Sequence, residues 1–352
     1  MMKPKKEAFL WLFLAVLLLC LSGVAWSLIN FQQSYRNLPP EHLIGNRPSS
    51  VKALQEKGFP FSFLVVGDTQ GREKAETLMK LALKQGQYSF MVLVGDFVRS
   101  PDIWDHRFFL TEMATEIKPP FPVFLVPGNH DIDYSSSKIK DHDRRTTPGV
   151  YETLYGARNF DFVYNRCLFI LLDLDLKNPT GYLNYLRNTL SQKGEGKPYI
   201  FVFIHYPPRF VPEDAGPLLP HEEEFLSLLE TYKVKTCFFG HYHGYWRGQR
   251  NGVNLVVVGG GGGRLKSWQS EWGKFHHILK VSVDQSTMVE ELIALPESFS
   301  PEDWFEEKVF IRLFPILQSR GWALYGLFLV FTASGISSLI FFFVSLKKKR
   351  MA

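Results

Sequence analysis

Short apolar runs alternate along the middle of the chain with stretches whose apolar positions recur at helical spacing. The runs predicted as strands are 61–66, 89–94, 122–126, 167–174, 199–204 and 235–239, and the predicted helices are 73–85, 101–117, 182–190 and 222–232. Strands that are apolar at every position are typical of a sheet covered by helices on both faces. Three later runs, 253–259, 276–284 and 287–295, are predicted as antiparallel strands that complete the sheet. The pattern therefore predicts one α/β domain over residues 59–295.

Two longer apolar segments lie near the ends of the chain. Residues 8–29 and 321–346 contain no charged residue, and each is long enough to cross a bilayer as a helix, which takes about 20 residues. Lys and Arg residues flank both segments, so the positive-inside bias predicts that the tips, 1–7 and 347–352, are cytoplasmic. The domain between them is then expected outside the cytoplasm, in a periplasm, a lumen or the extracellular space. A cleaved signal peptide is the alternative for the first segment.

Two further segments are expected to connect the domain to the lipid bilayer. Residues 30–58 are rich in Pro, Asn and Ser and are predicted as a linker. Residues 296–320 are predicted as a juxtamembrane segment, in which 301–314 forms either an amphipathic helix on the bilayer surface or a spacer.

The charge of the chain argues against a nucleic-acid partner. The net charge is +5, but the two tips contain seven Lys and Arg residues and one Glu, so the middle of the chain is nearly neutral. A nearly neutral domain lacks the general electrostatic attraction for phosphate backbones, so no nucleic-acid binding is expected.

Polar residues with metal-binding side chains follow five of the predicted strands. They are Asp68, Asp96, Asn129 with His130, His205, and His241 with His243. Because ligands of open α/β sheets bind beyond the carboxyl ends of the strands, these side chains are expected to converge. One such Asp or His alone would more often be a helix cap or a packed ring. The whole set, without a neutralising cluster of Lys or Arg, indicates bound cations.

The blocks that contain these residues resemble a known family. GD-x-Gln70, "GDFV", "GNHD", a His after an apolar strand and "GHYH" resemble, in this order, the signature of the calcineurin-like metallophosphoesterases over about residues 61–295. The resemblance implies an αββα sandwich with mixed sheets. It also implies hydrolysis of a phosphate ester through attack by a hydroxide that bridges two divalent metal ions. The apolar terminal segments favour a membrane-associated substrate.

The resemblance also implies roles for individual residues. The implied metal ligands are Asp96 as the bridge, Asp68 and His243 on one ion, and Asn129, His205 and His241 on the other. His130 is implied to protonate or stabilise the leaving group, and Asp131 to orient the His130 ring. The alternative for His130 is that it only caps its loop.

Gln70 lies where most of the family has His, and some members of the superfamily look similar in having Gln at this position. Gln70 could bind a metal through its amide oxygen, hold a metal-bound water, or leave the first metal position weak. Because an amide oxygen is a harder donor than an imidazole nitrogen, the expected metals are Mn²⁺, Mg²⁺ or Fe ions rather than tightly held Zn²⁺. Gln70 also favours the alternative function, a non-catalytic membrane receptor or assembly protein that binds metal or phosphate.

A run of five glycines, 259–263, follows the metal-binding blocks. It lacks the Lys-Ser/Thr ending of a phosphate-binding P-loop. A flexible turn beside the site is therefore expected.

Overall fold

The computed structural model describes residues 4–34, 38–56, 58–135, 145–209, 219–265, 273–295 and 321–350, together with residues 301 and 304. The predicted juxtamembrane segment, 296–320, otherwise lies outside the described residues. The chain divides into two compact units, one of residues 37–306 and one of residues 1–36 with 307–352.

Helices and strands alternate through the larger unit, as the hydrophobic pattern predicts. In the part of the chain that the structure describes, the helices are α1 (Pro4–Ser34), α2 (Pro48–Lys52), α3 (Glu73–Gln85), α4 (Ile103–Glu112), α5 (Pro148–Tyr155), α6 (Gly181–Lys193), α7 (Glu222–Thr231) and α8 (Gly321–Arg350). The strands are β1 (Phe61–Val66), β2 (Met91–Val94), β3 (Val123–Val126), β4 (Phe160–Tyr164), β5 (Cys167–Leu172), β6 (Ile200–Ile204), β7 (Thr236–Phe239), β8 (Tyr245–Arg250), β9 (Val253–Val258), β10 (His276–Val283) and β11 (Met288–Leu295).

The strands form two mixed sheets rather than the one sheet that the strand pattern predicted. The first sheet has the order β11-β10-β1-β2-β3 and the second the order β4-β5-β6-β7-β9-β8. Strands β1, β2 and β3 are parallel to one another, and so are β5, β6, β7 and β9. This arrangement confirms the sandwich of mixed sheets that the family resemblance implied.

Aromatic side chains fill the space between the two sheets. Phe63 of β1 stacks on Phe90 with ring centroids 5.0 Å apart, and it meets Phe169 of β5 edge to face at 5.4 Å. All three rings are completely buried. Large rings in offset or edge-to-face contact bury much apolar area and favour a fixed geometry, so this layer holds the sheets in register. Helices α3 and α4 cover the first sheet, and α6 and α7 cover the second.

Several elements differ from their predictions. The run 253–259 was predicted to be antiparallel, but β9 is parallel to β7 and pairs antiparallel only with β8. The predicted helix 101–117 ends as an α-helix at Glu112 and continues as one π-helical turn, Met113–Ile117. Strands β4 and β8 and helix α5 had no prediction. The two strands lie at the edges of the second sheet, and neither has a continuous apolar run, because Asp161 interrupts β4 and β8 contains Arg247, Gln249 and Arg250.

Part of segment 30–58, predicted as a linker, packs against the first sheet. Ile44 and Asn46 are 2% and 1% exposed. The Asn46 amide donates to the Leu125 carbonyl at 2.6 Å and accepts from the Leu125 N–H at 3.0 Å. From Ile44 onward, the segment is therefore part of the domain.

The smaller unit is an antiparallel pair of helices. The Ser22 hydroxyl of α1 lies 2.6 Å from the Thr332 hydroxyl of α8, and the ring of Trp26 packs on Phe328 with centroids 5.2 Å apart. Gly335 gives room for Leu19, which a Cβ at that position would meet at 2.9 Å. Both helices are long and apolar enough to cross a membrane.

Candidate metal centre

The predicted donors come from both sheets and meet at one edge of the sandwich. Asp68, after β1, accepts a hydrogen bond at 2.9 Å from the backbone N–H of His241, after β7. The Asn129 amide oxygen, after β3, lies 3.2 Å from Nε2 of His205, after β6. Each of these contacts joins a loop of the first sheet to a loop of the second. The expected convergence is present, although the strands belong to two sheets.

Two carboxylates and one imidazole form the buried centre of this edge. Asp68, Asp96 and His205 are 0%, 2% and 1% exposed. One possible ligand atom from each lies within 4.8 Å of the others, which is the spacing of a metal site. Asp68 Oδ1 is buried and accepts no hydrogen bond. A buried carboxylate oxygen without a donor is costly unless a cation binds it, so the residues fit a metal ion.

Two of the histidines are held so that Nε2 faces the carboxylates. Nδ1 of His205 donates to the Val94 carbonyl at 2.9 Å, and Nδ1 of His243 donates to the Arg264 carbonyl at 2.8 Å. The Nε2 atoms then lie 3.4 Å from Asp96 Oδ1 and 3.3 Å from Asp68 Oδ1. A backbone carbonyl that fixes the tautomer of a ligand histidine is a common feature of metal sites.

Asn129 and His241 extend the donor group towards solvent. Oδ1 of Asn129 lies between two imidazole nitrogens, 3.2 Å from His205 Nε2 and 3.1 Å from His241 Nδ1. Asn129 is exposed, and His241 is half-buried. Oxygen and nitrogen donors thus converge on one point that a molecule from solvent can reach.

The charges of the centre require a positive partner. Burial lowers the pKa of His205, but the adjacent Asp96 carboxylate outweighs this effect and raises that pKa to about 10. Burial also raises the pKa of Asp96, but the charges of His205 and His130 lower it far below the ordinary value. Without a cation, His205 therefore holds a proton beside Asp96. A divalent ion can replace that proton, because metal binding and deprotonation of the ligands are coupled.

Gln70 is buried in the loop that follows Asp68. It is 6% exposed, and its backbone N–H donates to the Asp96 carbonyl at 2.9 Å. Asp68, Gln70 and Asp96 have φ angles of 58°, 51° and 51°, and His241 has 67°. Non-glycine residues in the left-handed region are uncommon and concentrate at functional sites. The unusual residue of the first block therefore lies on the same strained loops as the donors.

His130 and Asp131 do not form the pair that the resemblance implied. Nδ1 of His130 donates to the Arg99 backbone carbonyl at 2.6 Å, and its Nε2 lies 3.8 Å from Asp96 Oδ2. The Asp131 carboxylate accepts only backbone N–H groups, because the side chain is completely buried below the loop. The prediction that Asp131 orients the His130 ring is wrong. The Arg99 backbone carbonyl, which accepts from Nδ1, orients the ring instead.

The five glycines form part of the site wall. Residues 259–263 are buried, which contradicts the expected flexible turn. The Gly263 N–H donates to the Asp68 carbonyl at 2.7 Å, and a Cβ at Gly259 would lie 2.9 Å from Asp68 Oδ2. A Cβ at Gly263 would meet the His243 ring at 3.0 Å. Glycine is needed here because the wall touches two donors directly. In the sequence, the run of five glycines after the metal-binding blocks was the signal that could have indicated this close contact with the donors.

Comparisons with known proteins found one matching family profile and solved structures of similar fold. A family profile described as calcineurin-like phosphoesterase matches residues 61–245. A dimetal phosphatase from Danio rerio has a TM-score of 0.51 and 14% identity, with coverage of 68% of this chain and 98% of that chain. The purple acid phosphatase PPD1 of yellow lupin (Lupinus luteus) has a TM-score of 0.51 and 16% identity over 68% of this chain. That match spans about half of the lupin chain, 52%.

A third solved structure is GAP50, the anchor in the inner membrane complex of Plasmodium. It has a TM-score of 0.50 and 16% identity, with coverage of 67% of this chain and 84% of that chain. At these identities the structures show similarity of fold alone. A search of curated proteins returned no match.

Proposed function

The chain belongs to the calcineurin-like phosphoesterase family, and from this premise we propose that it is a metal-dependent hydrolase of phosphate esters. The observation that carries the proposal is the buried group of Asp68, Asp96 and His205, in which Asp68 Oδ1 has no hydrogen-bond donor. A bound cation would offset the cost of burying these carboxylates.

Two divalent ions fit the donors better than one. The donors fall into two sets around Asp96: Asp68 with His243 on one side, and Asn129 with His205 and His241 on the other. The distances of 3.3 Å from Asp68 to His243 and 3.1 Å from Asn129 to His241 support this division. Gln70 is proposed as a further ligand of the first set. The donors suit Mn²⁺, Fe, Mg²⁺ or Zn²⁺ ions.

The bound ions would supply Lewis acidity, which neutralises phosphate oxygens and makes a water nucleophilic near neutral pH. The protein's own contribution is to hold its donors at fixed positions before substrate arrives. The carbonyls of Val94 and Arg264 fix the rings of His205 and His243. Because each set takes donors from both sheets, the aromatic layer that packs the sheets together also keeps the donors of each set together.

His130 is proposed to act on the leaving group. Its side chain is 41% exposed, so a substrate oxygen can reach the ring. Because Nδ1 donates to the Arg99 carbonyl, the ring presents Nε2 to the site. In the protonated ring, Nε2–H can donate to the oxygen from which the phosphoryl group departs. This role does not require Asp131.

A two-pass membrane arrangement is proposed for the full chain. The antiparallel pairing of α1 and α8 supports cytoplasmic locations for both tips, because it brings the two ends of the chain to the same end of the helix pair. The basic residues at both ends support the same orientation. The domain would then be extracytoplasmic, and a membrane-associated phosphate ester would be accessible to it.

Assays of the full-length protein in detergent micelles, loaded with Mn²⁺, test the proposal. Aryl phosphate monoesters, aryl diesters and phospholipid head groups are the substrates, and Asp96→Asn is the matched control. We expect metal-dependent turnover of at least one class, with a loss of about 100-fold or more in the control. A wild-type protein that binds Mn²⁺ but turns over none of them would refute the enzymatic function.

A non-catalytic receptor or assembly function is the second candidate. Gln70 in place of the family's His favours it, and GAP50, described as an anchor, has a similar fold. The same assay distinguishes the candidates, because the second predicts stoichiometric metal binding without turnover.

A further inference from the structure

The carboxylate of Asp131 connects the two loops that present Asp96 and Asn129. It accepts hydrogen bonds from the backbone N–H groups of Gly128 at 2.7 Å, Asp96 at 2.8 Å and Val98 at 3.1 Å. Gly128 belongs to the loop after β3, whereas Asp96 and Val98 belong to the loop after β2. One completely buried side chain therefore sets the distance between these loops.

His106 and Tyr155 form a second layer behind Asp131. His106 lies on α4, and its Nε2 is 2.9 Å from the backbone carbonyl of Asp131. Its Nδ1 is 2.9 Å from the hydroxyl of Tyr155 on α5. His106 and Tyr155 are both completely buried. The loop that contains Asn129, His130 and Asp131 is thus connected to both helices by hydrogen bonds.

The direction of these hydrogen bonds is fixed by chemistry. Burial lowers the pKa of His106 to about 3, so the ring is neutral at physiological pH. The Asp131 carbonyl can only accept, so Nε2 of His106 carries the proton and donates it. Nδ1 is then the acceptor for the Tyr155 O–H. No alternative tautomer satisfies both partners, so the ring has one orientation.

We propose that Tyr155, His106 and Asp131 form a positioning relay that fixes the spacing between Asp96 and Asn129 and thereby sets the metal affinity of the centre. This inference rests on the proposed metal centre and assigns to it two residues, on α4 and α5, that touch none of its donors. Groups that orient metal ligands from behind commonly change metal affinity by about 10–100-fold when they are substituted.

The test compares two substitutions of His106 in the full-length protein in detergent micelles. His106→Phe keeps a ring of similar shape but removes the donor to the Asp131 carbonyl. His106→Gln keeps an N–H donor that can reach the same carbonyl. The dissociation constant for Mn²⁺ is measured by isothermal titration calorimetry, and the electron paramagnetic resonance spectrum of bound Mn²⁺ reports the symmetry of its ligands.

We expect His106→Phe to weaken Mn²⁺ binding by about tenfold or more and to broaden the Mn²⁺ spectrum. His106→Gln is expected to retain affinity within about threefold of the wild type, because its donor restores the contact. Equal Mn²⁺ affinity in wild type and His106→Phe, with only a lower melting temperature, would overturn the relay and leave a packing role.

Tyrosine substitutions provide a matched control that does not depend on the folding of His106→Phe. Tyr155→Phe removes the hydroxyl that donates to His106. Tyr164→Phe removes a comparably buried hydroxyl that donates to the Gln55 carbonyl at 2.9 Å, at the opposite end of β5 from the site. We expect weaker Mn²⁺ binding in Tyr155→Phe only. Equal changes in both variants would contradict the relay.

The possible outcomes separate this inference from the proposed activity. Mn²⁺ binding with the expected differences but without turnover would support the relay and refute the enzyme. Turnover with no difference among the variants would support the enzyme and refute the relay. A wild-type protein that binds no Mn²⁺ would refute both.

Discussion

Asp68→Asn is expected to stabilise the metal-free protein while it abolishes stabilisation by metal. In the metal-free protein, Asp68 Oδ1 is a buried carboxylate oxygen without a hydrogen-bond donor, 3.3 Å from His243 Nε2. The asparagine replaces this charge with an amide, whose N–H₂ can donate to the imidazole nitrogen. Removal of an unsatisfied buried group is worth about 1–3 kcal/mol in the free energy of unfolding. For a domain of this size, the melting temperature rises by about 2–4 °C per kcal/mol.

The metal-bound protein should respond in the opposite way. A ligand at 100 times its dissociation constant stabilises the folded state by about 2.7 kcal/mol. Asp68→Asn should lose this stabilisation, because the amide offers one oxygen and no charge. The curves of stability against Mn²⁺ concentration for wild type and variant should therefore cross.

Urea unfolding, followed by near-ultraviolet circular dichroism at pH 8 with either EDTA or Mn²⁺, measures both effects. Asp284→Asn is the control, because Asp284 is exposed beyond the end of β10. A metal-free Asp68→Asn protein that is less stable than wild type would show that His243 already neutralises Asp68 as an imidazolium. The argument from the unpaired oxygen would then fail.

Three further changes test other parts of the structure. Gly259→Ala should lower both the stability and the metal affinity, because its Cβ would overlap the Tyr242 carbonyl and crowd Asp68. Unchanged Mn²⁺ binding in calorimetry would contradict the role of residues 259–263 as a wall of the site. Burial lowers the pKa of His106 to about 3 and that of His277 to about 4, both below the unfolded value of 6.5. As the pH falls below 6.5, the unfolded state therefore binds protons that the folded state does not, and the stability that the two residues contribute above pH 6.5 is lost. Urea midpoints at pH 5 and 7 should differ less in His106→Phe than in wild type, and an equal difference would show that His106 is already charged. Gln70→His should raise Zn²⁺ affinity by about tenfold or more if residue 70 is a ligand, since imidazole is the softer donor, whereas unchanged Zn²⁺ titrations would exclude it from the first metal position.

The convergence of the donors was predictable, because it depends only on strand direction. Asp68, Asp96 and His205 each follow an apolar run, and parallel strands end at the same edge. The division of those strands between two sheets was not predictable from the apolar runs. Apolar residues such as Phe63 and Phe169 are equally compatible with one sheet and with two. The family resemblance supplied the two sheets.

The function of Asp131 could not be predicted, because its partners have no side-chain signature. Its carboxylate binds the N–H groups of Gly128, Asp96 and Val98, and any residue except proline offers such a group. The order of letters in "GNHD" placed Asp131 beside His130, whereas the loop turns its side chain inward. Strand β8, with the sequence "YWRGQR", was missed because an edge strand can be formed largely by polar residues.

Because the proposed metal ligands come from loops of both sheets, tight metal binding would require that both sheets have formed. A chain in which only one sheet had formed would present Asp68, Asp96 and Asn129 without His205 or His241. Such a partly folded chain would bind an ion only weakly, since it would lack the imidazole ligands. If the proposed function holds, hydrolysis of phosphate esters would therefore begin only after both sheets had assembled.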